Sequence, residues 1–398
     1  MEKDYEFTII MPNYNNGKYI AEAIESVIYQ QANFNYQLLI ADDYSEDDSP
    51  AIIRNYCDKY PDKVKAIFAS ENGRLLKNML RAAKQTKTKY FCVLDSDDYY
   101  TDMGVLQRAY DFLEVHEDYA IYMENITCLF NDGSTRPYIA IQDKERTSTL
   151  EDLFRGSAVL APTNGSFFRN LVFSQCVPQI MLDAIGTVSE SSFRGDTFRT
   201  VMHLKYGKAF FKNIVCSVYR ISGKGIWTRL STFDQLLLNT QMWYDFNRFY
   251  EMKYNAEFST LLNRNLTELL KQLGIDVGKM EYHDPTKLDQ VLKLYYFVAA
   301  NKDTLKKYNE KIVSELSKSE DAGNADSLPE CEGETTSIST VIVNFSDGTD
   351  IKSAVLSLCY RIMVKLSILA MRVLRKLNSM MGGTVSMNIT RQDIPRCR

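Results

Sequence analysis

Histidine is scarce in this chain, with only His116, His203 and His283 among 398 residues. That scarcity argues against a His-rich zinc centre and leaves oxygen as the ligand for any metal. The eight cysteines are scattered without a CxxC pair, and several sit inside apolar runs. Buried reduced thiols are expected, not a disulfide framework. Nor is there an excess of positive charge: a formal net charge of -4 and a pI near 5.7 give no global attraction to polynucleotides, so nucleic acid is set aside as a partner. No GxGxxG follows the first strand-like run and no GxxxxGK[ST] occurs, which disfavours a Rossmann dinucleotide site and a P-loop. The opening MEKDYEF has no apolar stretch, so no secretory signal is expected and the setting expected is the cytoplasm.

What the chain does have is a run of apolar residues ending in acid. Residues 89–98 read KYFCVLDSDD, with Asp95, Asp97 and Asp98 at the end. A short run of aromatic and β-branched residues without alternation predicts a strand buried on both faces of a parallel sheet. Ligands of open α/β sheets lie just beyond the carboxyl ends of such strands. Two aspartates one residue apart suit a hard divalent cation that takes its remaining oxygens from water and a diphosphate. The same tetrapeptide also reads as a strand end capping a helix that begins near residue 102.

Around this run, strand and helix alternate. Residues 7–11 form a strand-like run stopped by Pro12, followed by an Asn-rich loop and an amphipathic stretch over 19–31. Residues 36–41 form a second strand ending in Asp42 and Asp43, with a helix expected to residue 60. A strand at 64–69 and a helix at 75–83 precede the acidic strand. This interval predicts an α/β fold with a parallel sheet and right-handed crossovers.

Four segments in this order carry a resemblance: IMPNYN at 10–15, ADDYSED at 41–47, Asn72-Gly73 with Lys77-Asn78, and LDSDD at 94–98. Together they resemble family 2 glycosyltransferases of the GT-A fold, a Rossmann-like sheet that binds nucleotide-diphospho-sugars. The resemblance implies an inverting transferase in which Pro12, Tyr14 and Asn15 line the base and ribose pocket. Asp43, or in second place Asp42, reads the uracil. It assigns Asn72, Lys77, Asn78 and Ser96 to the donor side, and Asp95 with Asp97 to Mn²⁺ or Mg²⁺ on the diphosphate. Tyr44 stands where the family usually has Gly or Asn, and Lys77 where it has Arg.

Further along, TNGSFFR at 163–169 resembles the family's acceptor-side strand, and Asn164 and Gly165 read either as a close approach to sugar or as a plain turn. The order Gly195-Asp196, a helix with His203 among apolar neighbours, then YRISG at 219–223 resembles the family's base motif and final strand. It implies Asp196 as the base that takes the acceptor proton, with Glu190 and Asp183 as the alternatives in a loop over 178–195. An N-cap is the other reading of Asp196. Gly195 replaces the usual Glu, and Ser222 the usual His. Arg220 or Lys224 then offsets phosphate charge, and Trp227 is placed to stack on a sugar. His203 reads as structural.

The resemblance covers residues 1–230. Leucine spacing over 231–316 predicts a helical extension, and the acidic, small-residue segment that follows predicts a linker over 317–350, with a short strand as an option. In 351–398, residues 354–377 place five cations within roughly a 100° arc of an otherwise apolar helix, and the uninterrupted apolar runs are too short to span a bilayer. That pattern suits either peripheral contact with the anionic inner face of a membrane or docking on a protein. The function expected is transfer of a sugar from a nucleotide-sugar, UDP-linked, to a glycan or lipid-linked acceptor in cell-surface polysaccharide synthesis. The rivals are a nucleotidyltransferase, disfavoured by a first loop without cations, and an impaired sugar-nucleotide-binding scaffold.

Overall fold

The apolar runs become the centre of one sheet. In the computed structural model, which describes residues 4–221, 225, 227, 229–275 and 285–322, β1 (Phe7–Asn13), β2 (Tyr36–Asp42), β3 (Val64–Phe68) and β4 (Tyr90–Val93) lie parallel in the order β3-β2-β1-β4. Ser222, Lys224, most of the expected linker and the cationic segment 354–377 lie outside the described residues. The crossovers are α1 (Ile20–Ile28), α2 (Ser49–Lys59) and α3 (Arg74–Gln85). α1 buries Ile20, Ala23, Ile24, Val27 and Ile28, one face at helical spacing. β1 and β4 are buried throughout, which is why neither alternates in sequence.

Strand order reverses between β1 and β4, which are neighbours although β2 and β3 separate them in the chain. The crevice at their carboxyl ends is where such sheets hold ligands. The expectation that Pro12 stops the first strand is corrected: β1 runs on to Asn13, with Pro12 opposite Ala41. The proline is tolerated because the β1–β4 ladder ends at Ile10 and Val93, so its missing N–H interrupts no bond.

Beyond β4 follow β5 (Tyr99–Tyr100), α4 (Val105–Val115), β6 (Tyr119–Phe130), β7 (Thr135–Pro137), β8 (Glu145–Ser148), α5 (Leu150–Arg155), β9 (Ser166–Arg169), α6 (Gln179–Ala184), α7 (Thr197–His203) and β10 (Lys208–Ile221). The sheet continues β4-β9-β6-β10-β5. Here the expected parallel order gives way, because β9 runs antiparallel to both β4 and β6. β6 and β10 are parallel partners, with the register irregular between Lys212 and Ser217.

The leucine pattern after residue 231 becomes α8 (Thr232–Phe249), α9 (Asn255–Ile275), α10 (Pro285–Ala300) and α11 (Lys302–Ala322). α11 runs through 317–322, the first residues of the segment expected to be linker. Leu237, Leu262, Leu266, Leu269, Val291 and Leu294 form the helices' own core. Phe246, Tyr250 and Phe258 instead join the core of the sheet with Phe91, Phe168, Phe198 and Met202. The extension therefore shares the α/β core and seats α7. Among the described residues no helix is long and apolar enough to cross a membrane.

Candidate active site

Three carboxylates leave β4 together. Asp95 and Asp97 are half-buried, while Ser96 and Asp98 are buried. Burial, then the charge of Asp97, pushes the Asp95 carboxyl up to about 7; Asp196 adds to the rise and Arg199 opposes it. Burial raises Asp97 too, against a backbone hydrogen bond and Arg220, and burial with the charges of Asp95 and Asp97 holds Asp98 well above the usual carboxylate range. Such crowding leaves negative charge that a bound cation would relieve. Among the described residues no group of three or more His, Cys, Asp or Glu side chains converges as a metal cage. Two carboxylates with other oxygens drawn from ligand and water suit Mg²⁺ or Mn²⁺, so the residues present fit the group.

The helix-capping alternative for this cluster does not hold. α4 begins after Gly104, whose N–H donates to Asp102 Oδ1, and no acid of 95–98 caps it. Asp98 Oδ1 instead accepts the backbone N–H of Arg220 at 2.9 Å, tying the acidic loop to β10. Ser96 Oγ accepts from Asn16 Nδ2 at 2.8 Å, tying it to the first loop.

The two acids after β2 divide their roles. Asp42 is buried with both oxygens engaged, accepting from Asn13 Nδ2 and the backbone N–H and hydroxyl of Ser45. Asp43 uses Oδ1 for Gly73 N–H at 2.9 Å and for Arg81 at 3.5 Å, and among the described residues no hydrogen bond involves Oδ2. Of the pair, Asp43 keeps an acceptor for a ligand. Asn15 and Tyr44 both adopt positive φ, 53° and 65°, which explains why Gly or Asn is usual at position 44. Asn15 is spent on the loop: its N–H donates to Ser45 Oγ and its Oδ1 accepts from Glu46. Tyr14 and Tyr44 stand 48% and 50% exposed, two free rings beside Asp43's loop.

The donor-side candidates at and just before α3 make contacts within the protein. Asn72 Oδ1 accepts from Arg74 N–H, and Asn78 is buried between Ala41 O and Arg81. Lys77 is turned to solvent in an ion pair with Glu71 at 2.7 Å. The cation that reaches Asp43 is Arg81, one turn on. Arg220 is likewise committed within the protein. Its guanidinium donates to the carbonyl of Asp97 and to Glu22 and lies over the rings of Tyr19 and Tyr99. It braces the acid loop.

Asp196 precedes α7 with helical φ and ψ and makes no side-chain hydrogen bond to the helix, so it is not a cap in the bonded sense. It lies within electrostatic reach of Asp95, Arg199, Tyr138 and Tyr219. Gly195 before it has φ of 121° and open space where a Cβ would stand. A Glu there would be strained. The alternatives to Asp196 are used elsewhere: Asp183 accepts from Gln179 and Glu190 from Gly186 N–H. Their loop is held by Ser189 and Ser192, whose hydroxyls donate to buried Asp245 of α8. Asn164 and Gly165 face the sheet. Asn164 donates to Val218 O, and a Cβ on Gly165 would meet Glu124 O at 2.5 Å.

Pro12, Asp95, Thr163, Gly195 and Arg199 line one narrow crevice at the switch point. Arg199, Arg81 and Tyr138 are the residues near the site that the motifs did not point to. Arg199 follows Asp196 by three residues, the one signal available.

Residues 8–173 match the model of glycosyl transferase family 2. Among curated proteins, an uncharacterized protein of Mycobacterium tuberculosis is 23% identical over 220 residues, 55% of this chain and 60% of that one. The minor teichoic acid biosynthesis protein GgaB of Bacillus subtilis is 34% identical over 134 residues, 33% of this chain and 14% of that one. The chain thus spans well under two thirds of the length of either relative. Among solved structures, S. aureus TarS 1–349 in complex with UDP aligns at a TM-score of 0.44 and 16% identity, covering 83% of this chain and 95% of that one.

Proposed function

Because residues 8–173 match the model of glycosyl transferase family 2, we propose that the chain is a metal-dependent inverting glycosyltransferase using a UDP-sugar. The observation that carries this reading is the crevice lined by Asp95 and by Gly195, the residue before Asp196, whose charge acts on Asp95. Tyr14, Tyr44 and the free Oδ2 of Asp43 receive the base. Asp95 and Asp97 would hold Mn²⁺ or Mg²⁺, which when bound supplies positive charge to the diphosphate. Asp196 accepts the proton of the acceptor hydroxyl as its oxygen bonds to the anomeric carbon, and the bond from that carbon to the diphosphate oxygen breaks with its electrons leaving on UDP. Arg220 takes no direct part: it fixes the acid loop through the Asp97 carbonyl.

The kinship with GgaB supports an acceptor among cell-surface polymers. The cations of 354–377 support contact with an anionic membrane, where a lipid-linked acceptor would lie. The test is transfer from radiolabelled UDP-sugars to a panel of polyol-phosphate and glycan acceptors, with Asp97→Ala and Asp196→Asn as controls. Transfer by the wild type, lost in both variants and on chelation, is expected. Transfer that survives Asp196→Asn refutes the assignment of the base.

A further inference from the structure

The crevice also contains a cation that the reaction above does not use. Arg199 is 4% exposed, yet among the described residues its guanidinium forms no ion pair. One terminal nitrogen donates to Thr163 Oγ1 at 2.6 Å, and Nε is buried without a partner. A buried N–H left unmet is costly, and native folds retain few such groups. A ligand group entering the crevice would complete it.

What fits is set by the walls. The space is about 50 Å³, enough for roughly three to five waters at 10–15 Å³ each. Met79, Val93, Phe193 and Phe198 supply apolar contact for C–H groups. Asp95 lines the same space, so an acceptor of hydrogen bonds stands close to a donor. A hydroxyl satisfies both, giving its proton to Asp95 and accepting from the Arg199 guanidinium. A carboxylate or phosphate there would meet the charges of Asp95, Asp97 and Asp196 against the single cation of Arg199.

We propose that Arg199 is a specificity-determining residue that reads a hydroxyl of the transferred sugar, making this crevice a subsite for neutral hexoses that excludes uronic acids. The inference rests on the donor reading above. It is tested by calorimetric titration, with Mn²⁺, of UDP, UDP-glucose, UDP-galactose, UDP-N-acetylglucosamine and UDP-glucuronate into the wild type, Arg199→Met and Arg199→Lys. At least one neutral donor binds the wild type about tenfold tighter than UDP, as expected for a hydrogen bond to a charged group. UDP-glucuronate shows no such gain. Both variants lose the gain while their Kd for UDP stays within about twofold of the wild type, which also certifies their fold.

Retention of the gain in Arg199→Lys or Arg199→Met overturns the proposal. So does an equal loss of UDP affinity in a variant shown folded by thermal melting, which would make Arg199 a phosphate ligand. The comparison of UDP-glucuronate with the neutral donors needs no variant, and a larger gain from the uronate also overturns it. A wild type that binds UDP but gains nothing from any neutral sugar refutes the subsite alone. One that binds neither UDP nor a UDP-sugar refutes the donor reading and the subsite with it.

Discussion

His203 closes α7, the helix that carries Asp196 and Arg199, and its burial makes a measurable statement about acid stability. The ring is fully buried against Phe91, Phe168 and Phe173, with Nδ1 on the carbonyl of Arg199 at 2.6 Å and Nε2 unpartnered. Burial, joined by the Arg199 charge and opposed by the hydrogen bond, pushes its pKa down to about 3 from 6.5. The folded protein therefore holds a neutral imidazole, and the unfolded chain takes up a proton as pH falls below 6.5. Stability from this group is fully present above that value and is lost as pH drops toward 3. Linkage gives a loss of about 1.4 kcal/mol between pH 8 and pH 5.5 from this group alone. Urea unfolding of the wild type and of His203→Gln at both pH values isolates it, since other titrations are common to both proteins. The wild type should lose about 1.4 kcal/mol more than the variant. Equal losses would mean that the ring is protonated in the fold or solvated, and the reading of α7's packing would fail.

Four further outcomes are expected. Asp196→Asn lowers kcat by about 10²- to 10⁴-fold, with UDP affinity unchanged by calorimetry. Arg108→Met leaves Glu124, buried and held by Arg108 through both oxygens, without its partner; the midpoint of urea unfolding should report a loss of about 3 kcal/mol, somewhat eased by the Tyr122 hydroxyl. Gly165→Ala drives a methyl into the Glu124 carbonyl and should lower stability by about 1–3 kcal/mol, seen as a fall in Tm. Deletion of 352–398 should abolish partitioning to anionic liposomes while leaving UDP binding intact, and unchanged partitioning refutes the membrane reading.

What was legible in the chain was whatever local pattern alone decides. The uninterrupted runs at 36–41 and 90–94 became β2 and β4, and leucine spacing after 231 became α8 to α11. Pro12 misled because proline in a strand reads as a stop, and only the absence of a β4 partner at that position makes it harmless. Lys77 shows what local pattern leaves open: packing turns Arg81 of the same helix toward Asp43, while Lys77 pairs with Glu71. Arg199 carried no signal of its own, because an arginine near a helix start is ordinarily solvated and only the fold reveals that this one is enclosed.

The same contrast explains how a site assembled from distant segments stays in register. Arg220 lies on β10, yet it touches the acid loop at Asp97 and Asp98 and the first helix at Glu22. Asn16 of the first loop reaches Ser96 in the same acid loop, and Asp245 of α8 holds the turn that precedes Asp196. Each clamp joins segments far apart along the chain, so none is visible as a motif. Together they hold the two metal-binding candidates and the proposed base on one frame, and positioning to within a fraction of an ångström is what the proposed in-line displacement at a sugar carbon would require. Loss of the Arg220 guanidinium should then act through geometry: Arg220→Met would lower kcat more than it weakens UDP binding. A pure phosphate ligand would show the reverse, with affinity lost first.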